Sequence, residues 1–139
     1  MKIRLAKNTD LNAIAKLNAT VFPQTPLKQS VTVFRKAFKN RIATACFVAE
    51  ENSKLVGAVI AEKKISFTPN TSYITSFFVA KKHQRKGIGT ALMKKCLAAL
   101  KKKRINSVSL TVYTNNDKAK RLYEKNGFKL FRFVYLKKL

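Results

Sequence analysis

The stretch from Ile74 to Leu92 restricts this chain more than any other part of it. It reads Ile74-Thr75-Ser76-Phe77-Phe78-Val79-Ala80-Lys81-Lys82-His83-Gln84-Arg85-Lys86-Gly87-Ile88-Gly89-Thr90-Ala91-Leu92. An apolar run of strand character leads into a basic loop, a glycine turn and then helical spacing. Such a junction is a seat for an anion. The first turn of a helix leaves backbone N–H groups unpaired, and its dipole favours negative charge. Glycines at 87 and 89 remove side chains, so a phosphate can approach the backbone closely. Arg85 and Lys86 add mobile positive charge.

Two other phosphate motifs are excluded. A Walker loop needs Gly-Lys-Ser/Thr after a glycine and four spacers, and the chain has none. The dinucleotide fingerprint needs a third small residue where Leu92 stands, and an acid about 20 positions further on that is also missing. On the two glycines alone, an ordinary glycine-bearing helix start stays open as an alternative.

The chain has 139 residues, the size of one ordinary domain, and its 46% hydrophobic content argues against disorder. No apolar run is long enough to span a membrane, and the charges of Met1-Lys2-Ile3-Arg4-Leu5 have no long apolar core behind them, so a signal peptide is not expected. Cys46 and Cys96 suggest neither a disulfide framework nor a metal site, and a reduced, cytoplasmic setting is expected. Charge is the unusual feature. Thirty Lys and Arg oppose six acids, for a net +24. Residues 61–139 hold twenty of those bases and three of the acids. The field therefore concentrates in the half with the glycine turn, where it attracts coenzyme, acidic peptide or nucleic acid alike.

The chain shows no linker and no repeat. Residues 1–6 read as a strand. Asp10 is placed to cap a helix over residues 11–20, with Leu11, Ile14, Ala15 and Leu17 on one face. After Pro23 and Pro26 a second helix is expected over residues 27–40. Residues 45–50 and 55–62 look like antiparallel strands around the polar turn Glu51-Asn52-Ser53-Lys54. A strand over 74–80, a helix over 87–103, a strand over 108–113 and a helix over 116–126 follow. Gly127 is the expected C-cap, and residues 128–136 are expected to close the fold as one long strand or a broken one. The pattern predicts an α/β fold with a mixed sheet and helices on both faces.

The late helix carries a second motif: Asn116-Asp117-Lys118-Ala119-Lys120-Arg121-Leu122-Tyr123-Glu124-Lys125-Asn126-Gly127-Phe128. Together the two segments resemble the GCN5-related N-acetyltransferase (GNAT) superfamily. The first matches its Gln/Arg-x-x-Gly-x-Gly/Ala signature at Gln84, Gly87 and Gly89. The second matches Asn-x-x-Ala-x-x-Leu-Tyr-Glu-Lys-x-Gly-Phe from Asn116 to Phe128. The order of elements agrees over nearly the whole chain. The resemblance implies one N-acetyltransferase domain over residues 1–139. Its sheet would be mostly antiparallel, with a splayed pair of central strands and acetyl-CoA as co-substrate without a metal.

The resemblance also implies roles. Backbone groups of Phe77, Phe78 and Val79 would pair with the pantetheine arm in the gap between splayed strands. The amides of Arg85, Lys86, Gly87, Ile88, Gly89 and Thr90, with Gln84 beside them, would surround the pyrophosphate. Asn116 would hydrogen-bond the arm, Ala119 would pack against it, and Tyr123 would sit near the thioester sulfur. An amine would attack the thioester directly, with the Val79 N–H as oxyanion donor and the Tyr123 hydroxyl as acid.

The general base is harder to read. The central strand holds no carboxylate. Glu62 could act through water, but a strand-end charge paired with Lys63 or Lys64 is the plainer reading. His83 reads as a solvated loop residue. A weak base suits an α-amine, with a pKa of about 7.7–8.0, better than a lysine at about 10.4. Residues 21–26 also look like the acceptor-lining loop between the first two helices of ribosomal-protein-modifying N-terminal acetyltransferases. The positive charge suits an acidic or ribosome-associated protein, or an aminoacyl-tRNA, and would repel polyamines and aminoglycosides. A basic nucleic-acid-binding module, with Lys101-Lys102-Lys103-Arg104 as one cluster, and a coenzyme-binding regulator without catalysis are the rival readings. No membrane partner is expected, and either a monomer or a homodimer fits.

Overall fold

The structure, a computed structural model, describes residues 1–39, 43–63 and 70–139. Five strands form one sheet in the order β1 (Lys2–Leu5), β2 (Ala43–Glu51), β3 (Lys54–Lys63), β4 (Thr71–Val79) and β5 (Ser107–Ser109). The first four run antiparallel, and β5 runs parallel to β4. Helices α1 (Leu11–Val21) and α2 (Leu27–Lys39) precede β2, α3 (Ile88–Lys102) links β4 to β5, and α4 (Asp117–Lys125) follows β5. Asn40, the expected end of α2, lies outside the described residues. Among the described residues no helix is long and apolar enough to cross a membrane.

Period-two alternation sets the layers. On β2 and β3, Val48, Ala58 and Ile60 face one way and meet Ile14 and Ala15 of α1 and Phe34 of α2. Phe47, Ala49, Val59 and Ala61 face the other way and meet Leu92, Met93, Cys96 and Leu100, the apolar stripe of α3. Leu122 and Tyr123 of α4 pack on this same side. Helices thus cover both faces, as expected. The β2–β3 hairpin turns through Asn52 and Ser53, both at positive φ (48° and 60°), the pair of left-handed residues that a two-residue hairpin of matching twist requires.

Two expectations need correction. Asp10 does not cap α1 with its side chain. Its carboxylate instead takes both guanidinium nitrogens of Arg4 (2.7 and 3.0 Å) and the Lys7 N–H (2.7 Å). A half-buried cation nearby competes better for that carboxylate than helix amides do. Residues 128–136 are not a strand of this sheet. Past Phe128 the segment is exposed throughout and pairs with no strand among the described residues.

Candidate active site

The site begins where β4 stops pairing with β5. Only Thr71, Ser72 and Tyr73 of β4 pair with Ser107, Val108 and Ser109. The expected strand over 108–113 therefore ladders only at its start. The register between β3 and β4 shifts between Ile60 and Ala61, where Thr75 is the extra residue on β4. A bulge of this kind bends its strand and increases local twist. Above it, β4 diverges from residues 110–113.

Hydrogen-bond phase decides what that gap offers. The Ala80 N–H donates to the Val56 carbonyl at 2.8 Å. Opposed residues of an antiparallel pair alternate between bonded and non-bonded, so the neighbouring pair, Gly57 and Val79, is non-bonded. The Val79 N–H and the main-chain groups of Phe77 thus turn from β3 into the gap. Side chains alternate as well. Phe78 is buried toward α1 and α2, edge-on to Phe22 with ring centroids 6.3 Å apart, whereas Phe77 points to α4 and lies 5.9 Å from the Tyr123 ring.

The loop after β4 forms one end of the gap. A single 3-10 turn, Lys81–His83, leads to Arg85 (φ 63°) and Gly87 (φ 76°). The first bond of α3 is Ala91 N–H to Gly87 carbonyl, so the amides of Ile88, Gly89 and Thr90 have no acceptor within the helix. Arg85, Lys86 and Gly87 are exposed, and a Cβ built on Gly87 would meet nothing within 4 Å. The two glycines therefore act differently. Gly87 supplies the left-handed turn and open space. Gly89 is needed for packing, because a Cβ there would stand 2.9 Å from Leu122 Cδ1 and 3.3 Å from Phe77 Cζ. Ile88 is buried, so only its main chain can face a ligand. The Gln84 side chain donates to the Val79 carbonyl at 3.0 Å and so fastens the loop to the end of β4. This structural tie was not foreseen from the sequence.

On the far wall, Asn116 caps α4: its Oδ1 accepts from the Ala119 N–H at 3.1 Å, and its side-chain N–H groups remain for a ligand. Tyr123 lies between Phe77 and Phe128, each 5.9 Å away. Burial, and secondarily the Tyr73 hydroxyl, raise its pKa above the ordinary phenol value, so the ring keeps its proton at neutral pH. Tyr73 itself shares a 2.6 Å hydrogen bond with Thr111 across the gap.

These features belong to one cleft of about 790 Å³. Phe77, Phe78, Val79, Gln84, Arg85, Gly89, Asn116, Ala119 and Tyr123 line it. At its other end stand Val21, Phe22 and Thr25, from the segment whose likeness to an acceptor loop was expected, with Asn18 of α1 and Ser30 and Phe34 of α2, which were not. Buried Asn18 donates to Ser30 at 3.0 Å and ties α1 to α2 at this mouth. Among the described residues, three cations, Arg85, Lys118 and Arg121, line the cleft, and no carboxylate, histidine or cysteine does. Glu62 sits nearby, accepting from Thr75 Oγ1 at 3.2 Å rather than pairing with Lys63; Lys64 lies outside the described residues. His83 faces Glu51 at 2.7 Å, away from the cleft. Burial pushes the Cys46 thiol up to about 12 and the Cys96 thiol up to about 11, which leaves neither as a nucleophile.

The sequence pattern of the acetyltransferase (GNAT) family matches residues 11–128. The chain belongs to that family. Its acetyl-CoA-dependent N-acetyltransferase activity follows from the membership, and the reading as a plain nucleic-acid-binding module is not favoured. Among similar proteins, the N-alpha-acetyltransferase of Sulfurisphaera tokodaii is 29% identical over 137 residues, covering 92% of this chain and 80% of the relative. N-alpha-acetyltransferase 30 of Dictyostelium discoideum is 29% identical over 124 residues, covering 86% of this chain and 66% of the relative. The chain thus spans about two thirds to four fifths of the length of these two proteins. The structure of AAC(6')-Iy with the bisubstrate analog CoA-S-monomethyl-acetylneamine superposes with a TM-score of 0.84. The match covers 99% of this chain and 97% of that one at 15% identity, a likeness of fold alone. In this GNAT fold the splayed strands, the glycine turn and the α4 tyrosine surround a single cleft.

Proposed function

We propose that this enzyme, a single domain over residues 1–139, transfers the acetyl group of acetyl-CoA to the α-amine of a protein or peptide. The observation that carries the reading is a cleft continuous from the glycine turn, across the β4–β5 gap, to the α1–α2 mouth, with no carboxylate among the described residues that line it. The cationic end suits a diphosphate: the free amides of Ile88, Gly89 and Thr90, with those of Arg85, Lys86 and Gly87, would hold it. Main-chain groups of Phe77 and Val79, the Asn116 amide and the small face of Ala119 would hold the pantetheine arm.

The amine attacks the thioester carbonyl, forming a C–N bond and a tetrahedral oxyanion. The Val79 N–H, turned into the gap, donates to that oxygen. Collapse breaks the C–S bond, Tyr123 gives its proton to the departing thiolate, and the nitrogen sheds its extra proton to solvent, from which Tyr123 is reprotonated. Its raised pKa keeps the phenol protonated at neutral pH, so the proton is present when the thiolate departs. Phe22, Val21 and Phe34 would pack the apolar part of the acceptor.

Acceptor class follows from the missing base. An α-amine with a pKa of about 7.7–8.0 is about one-tenth neutral at pH 7, whereas a lysine at about 10.4 is neutral in well under about one part in a thousand. An acceptor that deprotonates by itself fits a cleft without a carboxylate. The names of the two relatives agree with this reading. The net +24 favours an acidic or ribosome-associated protein met in the cytoplasm, and it opposes polycationic aminoglycosides despite the shared fold.

The test is coenzyme thiol release with a panel of peptides, lysine-only N-blocked peptides, aminoglycosides and aminoacyl-tRNA. The expected result is turnover on peptides with free N-termini that ceases when the terminus is blocked. Turnover confined to aminoacyl-tRNA or to aminoglycosides would overturn the acceptor assignment. Coenzyme binding with no turnover on any of them would favour the regulator reading.

A further inference from the structure

The glycine turn is held in shape by more than its glycines. Arg85, two residues before Gly87, has a left-handed backbone (φ 63°) although it carries a Cβ. That conformation is costly for an L-residue and lasts only where the surroundings fix it. Arg85 is exposed, so packing of its own side chain does not fix it. The restraint comes from its neighbours. On the later side Ile88 is buried. On the earlier side the His83 N–H closes the 3-10 turn on the Ala80 carbonyl at 2.8 Å, and the Gln84 side chain bonds the Val79 carbonyl.

A further restraint reaches this turn from another hairpin. His83 Nδ1 lies 2.7 Å from Glu51 Oε2 at the end of β2. Glu51 stands opposite Lys54 in the ladder, yet among the described residues its ion pair is with His83. The Nδ1 atom is sealed from solvent and no acceptor among the described residues meets it in line, so the contact with Glu51 is one of charge rather than a directed hydrogen bond. A bare ring nitrogen would turn its lone pair on the carboxylate, so Nδ1 carries a proton. The other charged groups of the two elements are Glu50, which Arg4 engages, Lys54 on the hairpin, and Lys81 and Lys82 on the turn. Arg85 and Lys86 follow just beyond. Glu51 is thus the counter-charge set against His83.

We propose that His83 is a positioning residue for the coenzyme: through Glu51 it ties the glycine turn to the β2–β3 hairpin, holds the amides of residues 85–90 toward the diphosphate, and makes coenzyme affinity depend on the charge of its ring. The proposal rests on the reading that this turn holds the diphosphate of acetyl-CoA. His83 does not line the cleft, so it acts on affinity rather than on the chemical step. Histidine side chains change charge between about pH 5 and 8. At the acid end of that window imidazolium and carboxylate attract, and the turn is held. At the alkaline end the ring is neutral and the hold weakens. The two side chains are 27% and 31% exposed, so solvent screens the pair and the effect is a few-fold.

The experiment is calorimetric titration of the whole protein with coenzyme A at about pH 5.5 and about pH 8.5, beside acetyl-transfer kinetics at about pH 7 with saturating peptide. The proteins are the wild type, Glu51→Gln and His83→Lys, with circular dichroism to show that each is folded. Glu51→Gln should weaken binding by about three- to fivefold at the acid pH, and its ratio to the wild type should return toward one at the alkaline pH. His83→Lys keeps a cation at both, so its affinity relative to the wild type should rise at the alkaline pH. Ionisation of the coenzyme's own phosphates is common to all three and cancels in the ratios. Glu51→Gln should raise the KM for acetyl-CoA and leave kcat at saturation within about twofold. A ratio of one at both pH values, a ratio that does not change with pH, or a loss of kcat in place of a rise in KM would overturn the brace. Tight binding by the wild type with equal affinity in both variants would overturn the brace alone, whereas a wild type that binds no coenzyme would overturn the reading of the turn together with it.

Discussion

Gly87 sits at φ 76° with open space around its α-carbon, so its cost of substitution is conformational. Gly87→Ala should lower stability by about 1–2 kcal/mol, the cost of a left-handed residue with a Cβ, and should weaken coenzyme binding by crowding the turn. Urea denaturation and calorimetric titration with coenzyme would check the two effects separately. At the other end of the cleft, Tyr123→Phe keeps the ring contacts to Phe77 and Phe128 and removes only the proton. Turnover should fall by about 100-fold or more with coenzyme affinity retained. Burial raises the tyrosine's pKa, so the donor form is kept through neutral pH and lost only above the ordinary phenol range of about 10. The wild-type rate should therefore rise through the α-amine pKa and show no alkaline fall until above about pH 10. Unchanged turnover in the phenylalanine variant would remove Tyr123 from the chemistry.

At the scale of elements, the Arg4–Asp10–Glu50 cluster ties the start of the chain to β2. Arg4 bonds Asp10 through both terminal nitrogens and Glu50 through Nε at 2.7 Å. The Arg4 hydrogen bonds hold the Asp10 carboxyl below its ordinary pKa. A depressed pKa means that this contribution is complete above the unfolded value of about 3.9 and is lost as pH falls through the lower folded value. Asp10→Asn should cost about 2–3 kcal/mol at neutral pH, and the gap to the wild type should close in acid. Thermal melts between pH 2 and 7 would show a constant gap if the ion pair contributes nothing. On the adjacent pair of strands, Gly57 faces Val79 across the ladder, and an added Cβ would stand 3.0 Å from the Phe78 carbonyl and 3.1 Å from Leu92 Cδ1. Backbone yields less than a side chain does, so Gly57→Ala should destabilise by about 1–3 kcal/mol and disturb the strand that carries the Val79 N–H. Guanidinium denaturation beside turnover would separate the two effects.

Over the whole molecule, the net +24 acts on whatever charged partner approaches the cleft. Capture of an acidic acceptor should weaken as salt rises, through a higher KM at unchanged kcat. A KM independent of salt with an acidic peptide would mean that the field serves something other than the acceptor.

Much of this was legible in the residues alone. Helical spacing, strand alternation and two ordered motifs were enough to expect the layers, the glycine turn and Tyr123, because each is a local pattern whose physical cause lies within about a dozen neighbouring residues. Three things were not legible, and all depend on which surfaces meet. Asp10 was expected at a helix end, but Arg4 from another element claimed its carboxylate. Gln84 and Gly89 belonged to a phosphate motif, yet Gln84 fastens β4 and Gly89 makes room for Leu122 of α4. Residues 128–136 have every local mark of a strand, but a strand exists only where an edge accepts its hydrogen bonds, and the chain does not bring its own edge to them.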